Sequence, residues 1–141
     1  MILYLDTSSL VKLYVEEEGS DEVRKLVEDA GMLATATVAY PEMRSALARL
    51  LRGGFLDQAE LAELRGRLEE DWESFLRIEV SEELCRRAGE LAEAHGLRGF
   101  DSVHLAAFVR LRDESGKIPV RFSAFDQRLN DAATAESGTG E

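Results

Sequence analysis

Positive charge is scarce in this chain: 17 Lys and Arg stand against 28 Asp and Glu, a net charge of −11. That balance disfavours non-specific attraction to nucleic acid or to anionic membranes. It leaves room for a nucleic-acid enzyme, which needs only a local basic rim around its site. Cysteine is nearly absent, and the lone Cys85 excludes an internal disulfide. One cysteine suits a reducing cytoplasm, the expected location, and with no ligand residues beside it a plain packed thiol is expected. No apolar run approaches the roughly 18 residues of a membrane span, so no membrane partner is expected. The opening MILYLD lacks a basic region and reaches an acid at Asp6, so it does not read as a signal peptide.

Repeats and linkers are missing too. What is present is 45% apolar residues in 141, enough for one domain with a proper core. The expected domain covers 1–133, and the small polar tail TAESGTGE, 134–141, is expected to fray. Four short apolar runs read as strands: ILYL (2–5), MLATA (32–36), LRIEV (76–80) and PVRFSAF (119–125). Runs without polar alternation suit a parallel sheet covered on both faces.

Between the strands lie helical patterns. SSLVKLYVEEE forms one, ended by Gly19, and 21–28 a second. Thr37 stands where it could cap the helix that carries Pro41, Met43, Leu47 and Leu50 and ends at Gly53 and Gly54. Asp57 with Glu60 spells a capping box for a helix reaching about Phe75, and Ser81 opens another that His95 and Gly96 close. An Ala-rich helix follows Asp101, and Asp126 begins a short one ending near Ala133. Strands alternating with helices imply an α/β fold with a mainly parallel sheet of four or five strands.

Most acids lie on solvated helix faces, but four stand at element junctions. Asp6 ends the first strand, Glu42 opens a helix after the second, Asp101 heads the Ala-rich helix, and Asp126 follows the fourth strand. In an open parallel sheet the carboxyl ends of the strands and the helix starts share one edge, where ligands bind. Four acids distant in sequence can therefore meet. Two carboxylates about 5 Å apart repel by roughly 3 kcal/mol at an effective dielectric near 20. Such a cluster needs protons or cations, and hard divalent ions suit it because Mg²⁺ prefers carboxylate oxygens and retained waters. The chemistry favoured is water attack on a phosphodiester. Taken singly, Asp6, Asp101 and Asp126 are equally well explained as helix N-caps.

At this point four segments bear a family likeness. LDTSSLVKLYVEEEGS, AYPEMRSALARL, LRGFDSVHLAA and FSAFDQRLNDAA resemble, in order, the four motifs of PIN-domain proteins, especially VapC-type toxins. The resemblance covers nearly the whole chain. It implies a three-layer α/β/α domain and an endoribonuclease dependent on Mg²⁺ (or Mn²⁺). That enzyme, the toxin of a type II toxin–antitoxin pair, hydrolyses RNA through metal-activated water. By position the family's acids fall on Asp6, Glu42, Asp101 and Asp126, with Asp6 and Asp101 as principal metal ligands. Glu42 and Asp126 would hold a second ion or orient water, and Ser8 would support Asp6. The implied partners are RNA, a cognate VapB-like antitoxin and a second copy in a homodimer. In the fourth motif the usual hydroxyl place holds Ala124, with Ser123 one residue earlier.

Other residues and functions are less specific. His104, one turn after Asp101, is expected to pack or hydrogen-bond, and His95 to end its helix. Arg44, Arg49 and Arg52 could meet RNA phosphate or an antitoxin, though solvated charge suffices for them. Trp72 and Phe75 read as core or interface. The alternative function is a catalytically silent PIN-like binding module. An aspartyl-nucleophile phosphatase would place a second aspartate two after the first, where Ser8 stands.

Overall fold

A computed structural model describes residues 1–138. Its centre is β1 (Ile2–Leu5), all four residues buried, flanked by β2 (Met32–Ala36) and β4 (Val120–Ser123), with β3 (Leu76–Ile78) outside β2. Among the described residues the sheet has four strands in the order β3-β2-β1-β4, every pairing parallel. Leu3 aligns with Leu33 on one side and Arg121 on the other. This register brings the carboxyl ends of β1, β2 and β4 to one edge.

The period-two alternation of β1 feeds two cores. Ile2 and Tyr4 pack with α5 (Glu82–His95), α6 (Gly99–Glu114) and α7 (Gln127–Glu136). Leu3 and Leu5 pack with α1 (Thr7–Val11), α2 (Ser20–Asp29), α3 (Ala39–Arg52) and α4 (Gln58–Trp72). The result is the expected three-layer α/β/α domain. In α6 the run from His104 to Val109 is buried without interruption, as its alanines allow by letting neighbours approach from several sides.

Local signals account for most boundaries. The capping box of α4 is formed in both directions: Glu60 N–H donates to Asp57 (2.8 Å) and Asp57 N–H to Glu60 (2.9 Å). Ser81 caps α5, and Gly96 closes it at φ +65°, a left-handed conformation natural to glycine. Phe75 is buried, with Trp72 partly buried against it.

Several expectations are corrected. The first helix stops at Val11, after which Lys12, Leu13 and Tyr14 make tighter bonds to the carbonyl three residues back. Three consecutive glutamates, Glu16 to Glu18, would crowd the negative end of a longer helix dipole. Gly19 then turns at φ +94°, where a Cβ would come within 2.8 Å of Phe125. Thr37 does not cap α3; its Oγ1 accepts from the N–H of Val80 (3.1 Å) and ties the ends of β2 and β3 together. Cys85 is exposed on α5 rather than packed. The third and fourth strands are shorter than their apolar runs, ending at Ile78 and Ser123. Finally, α7 continues to Glu136, three residues into the supposed tail. His95 Nε2 meets the Glu136 carboxylate (2.8 Å), and Arg112 donates to its carbonyl (2.7 Å). The last part of the tail, 139–141, lies outside the described residues.

Candidate functional site

Asp6 leaves β1 and immediately N-caps α1, its Oδ1 accepting from the N–H of Ser9 (2.9 Å) and the hydroxyl of Ser8 (2.7 Å). Glu42 projects from the first turn of α3. Asp101 lies in the first turn of α6, which starts at Gly99 with Arg98 at the cap position. Asp101 therefore does not cap its helix. These three acids line one cavity of about 820 Å³ with Thr7, Ser8, Arg49, Arg98, Gly99, Phe100 and His104.

Asp126 is not part of that lining. Its Oδ1 caps α7 through the N–H of Leu129 (2.9 Å), and its Oδ2 lies 4.0 Å from the Arg98 guanidinium. The same guanidinium lies 3.5 Å from Asp101. Arg98 thus bridges the acid inside the cavity to the acid outside it. Among the described residues, no group of three His, Cys, Asp or Glu side chains is placed to hold a metal ion outright.

The electrostatics of the acids diverge. Burial pushes the Asp6 carboxyl above its usual range against the bonds from Ser9 and Ser8, and the charge of Asp101 adds to the rise. Asp6 is only 4% exposed, and its hydrogen bonds do not fully offset the burial of its ionised form. Burial also pushes Glu42 upward, but hydrogen bonds from His104 and Thr7 outweigh it and leave the carboxyl below its usual range.

Those bonds belong to a partly buried network. The Thr7 hydroxyl donates to Glu42 Oε1, and His104 Nε2 lies 3.0 Å from the same oxygen and 3.1 Å from Thr7 Oγ1. The carboxylate requires a proton on Nε2, so in the neutral ring Nδ1 accepts from the Tyr4 hydroxyl at 2.7 Å. Tyr4 stays protonated: burial, then the charges of Asp6 and Glu42, push its phenol well above the usual range. A chain Tyr4–His104–Glu42 thus runs from the sheet to the cavity wall and fixes one Glu42 oxygen.

A family model described as PIN domain matches residues 3–135. The chain belongs to the PIN-domain family. Ribonuclease VapC45 of Mycobacterium tuberculosis (strain CDC 1551 / Oshkosh) is 35% identical to this PIN domain over 134 residues, 95% of this chain and 90% of that protein. Among solved structures, FitAcB from Neisseria gonorrhoeae aligns with a TM-score of 0.66 at 18% identity, covering 95% of this chain and 94% of its own. VapBC2 from Rickettsia felis, solved bound to a DNA fragment from its promoter, aligns at 0.55 and 15%, covering 89% and 100%. These two likenesses concern the fold.

Three residues of this PIN domain's site escape a reading by motif. Tyr4 looks like an ordinary strand residue, and only the packing of α6 on the sheet sets its hydroxyl against His104. Thr7 is a generic helix-start residue until α3 packs on α1 and supplies Glu42. Phe100 reads as one more apolar residue in LRGF, yet it is 60% exposed at the cavity mouth. Ser123, the hydroxyl of the fourth motif, makes no hydrogen bond to any of the four acids through its side chain and pairs with Ser9 (2.8 Å).

Proposed function

We propose that this PIN domain is a VapC-type endoribonuclease, the toxin of a type II toxin–antitoxin pair, hydrolysing RNA phosphodiesters with Mg²⁺ or Mn²⁺. The observation that carries the reading is Asp6. A buried carboxylate pushed upward by desolvation, sharing a cavity with Glu42 and Asp101, is a charge that a cation would relieve. The identity to a ribonuclease over nearly the whole chain supports the substrate.

The donor set suits a hard ion. Asp6 and Glu42 each commit one oxygen to internal hydrogen bonds, which fixes both carboxylates and leaves the second oxygen of each without a protein donor among the described residues. Mg²⁺ binds through one or two carboxylates and keeps several waters, so a closed cage of three protein ligands is not required. Asp6, Asp101 and Glu42 are the proposed ligands. Asp126, across Arg98, is the proposed aid in orienting water at the rim. When bound, the ion lowers the pKa of a water and steadies charge on the phosphoryl group. Ser8 holds Asp6 in place, and the His104 chain keeps Glu42 ionised and oriented.

A VapB-like antitoxin is the proposed partner, supported by the likeness to VapBC2, and a homodimer the proposed assembly. The purified chain, freed of any partner, is expected to cleave RNA with Mg²⁺ or Mn²⁺, and to lose activity on chelation or in Asp6→Asn. Cleavage that survives both treatments would rule the mechanism out.

A further inference from the structure

Arg98 stands at the N-cap of α6, a position that suits a cation badly. The positive end of the helix dipole lies there, and the favoured residues offer an acceptor oxygen, which a guanidinium lacks. Arg98 makes no side-chain cap bond. Packing does not explain it either, since its side chain is 84% exposed. What it does meet is a pair of carboxylates from different helices: Oδ2 of Asp101 at 3.5 Å and Oδ2 of Asp126 at 4.0 Å. Asp101 follows it by three residues on α6, an ordinary helical spacing, but Asp126 arrives from the start of α7. Arg49, the other arginine lining the cavity, makes no ion pair among the described residues.

A planar guanidinium can reach two carboxylates at once, which a compact ammonium does less well. Yet the contact is loose. Both separations exceed ordinary hydrogen-bond lengths, and exposed ion pairs of this kind contribute little to stability. A counter-charge held so weakly is open to exchange. With Asp101 engaged in this way, no three acids converge among the described residues. Resting on the metal-dependent reading above, we propose that Arg98 is the internal counter-cation of the cavity, in competition with the divalent ion for Asp101. In the metal-free protein its charge holds Asp101 and Asp126 together across the cavity rim. The same charge opposes an incoming cation, so Arg98 sets the divalent concentration at which the site fills. Its exposure lets it swing aside into water without disturbing the core.

The test titrates the full chain with Mn²⁺ and follows the free ion by electron paramagnetic resonance, a readout that needs no RNA. Arg98→Gln, which removes the charge, is expected to tighten Mn²⁺ binding about fivefold at low ionic strength. Arg98→Lys, which keeps a charge, is expected to stay within about twofold of the native chain. Arg49→Gln removes a charge that lies beside no carboxylate and is expected to gain less than about twofold. In RNA cleavage, the half-saturating Mn²⁺ concentration of Arg98→Gln is expected to fall by the same factor as its dissociation constant. An unchanged or weaker Mn²⁺ affinity in Arg98→Gln would overturn the proposal. So would an equal gain in Arg98→Lys or in Arg49→Gln, either of which would detach the effect from the charge of Arg98. A native chain that binds Mn²⁺ but cleaves no RNA would overturn the ribonuclease reading instead, and the affinity ratio would still decide the role of Arg98. Mn²⁺ bound by neither the native chain nor Arg98→Gln would overturn both.

Discussion

Asp6 carries two roles that pull in opposite directions. As the N-cap of α1 it needs only an acceptor oxygen, which asparagine also provides. As an ionised carboxylate it is poorly solvated, because burial outweighs its hydrogen bonds. The sign for stability follows. Below the unfolded pKa both states are protonated and no penalty exists. Between that value and the raised folded one, the folded state holds the extra proton, so stability falls as pH rises and is lowest above the folded value. Glu42 acts in reverse, its contribution complete above the unfolded pKa and lost as pH falls through its lowered folded value. Asp6→Asn is therefore expected to raise the Tm of metal-free protein near neutral pH by a few degrees, on the scale of about 2–4 °C per kcal/mol for a domain of this size. The gain should vanish in acid, which calorimetry across pH would check. At Tyr4 the expected sign is opposite. Tyr4→Phe removes the donor to His104 Nδ1 and leaves a buried nitrogen unpaired, a loss of about 1–3 kcal/mol in urea unfolding.

At the scale of elements, the site depends on how each helix begins. Asp6 and Asp126 sit at N-caps, whereas Glu42 and Asp101 sit inside first turns, where the helix backbone does not use their oxygens. The capping box of α4 offers a control remote from the cavity. Asp57→Ala removes a reciprocal pair of bonds and is expected to cost about 1 kcal/mol, with metal binding and cleavage unchanged. Denaturant titration alongside an activity assay would separate the two. A fall in activity with unchanged stability would show that α4 reaches the site in some way this geometry does not provide.

For the whole molecule, the proposed cation site in a partly buried acid cavity would link folding to cation binding. An ion that binds only the folded state adds about 2.7 kcal/mol at one hundred times its dissociation constant. Thermal unfolding of the native chain is thus expected to rise with added Mn²⁺, while Asp6→Asn starts higher and responds little. The two curves should cross. Parallel curves would mean that Mn²⁺ acts on surface acids rather than on the cavity.

Much of this protein is specified locally. Strand candidates around ILYL and MLATA, the caps at Asp57 and Ser81, and the stop at Gly96 depend on backbone preferences within a few residues, so pattern alone locates them. The acids at strand ends are visible for the same reason. The order of the four motifs points to the family, because each motif is a contiguous stretch of chain. Other features depend on contacts between residues far apart in the chain. The extension of α7 onto Arg112 and the exposure of Cys85 are set by what packs alongside, which no local pattern records. Only the fold could place Asp126 outside the cavity with Arg98 between it and Asp101. Only the fold could set Tyr4 against His104, 100 residues apart, and leave Phe100 in water at the mouth. Sequence determined which carboxylates stand at the edge of the sheet, because chain direction and alternation do so. Tertiary structure decided which of them share a cavity and which oxygens remain free, because orientation and desolvation arise only when the layers close.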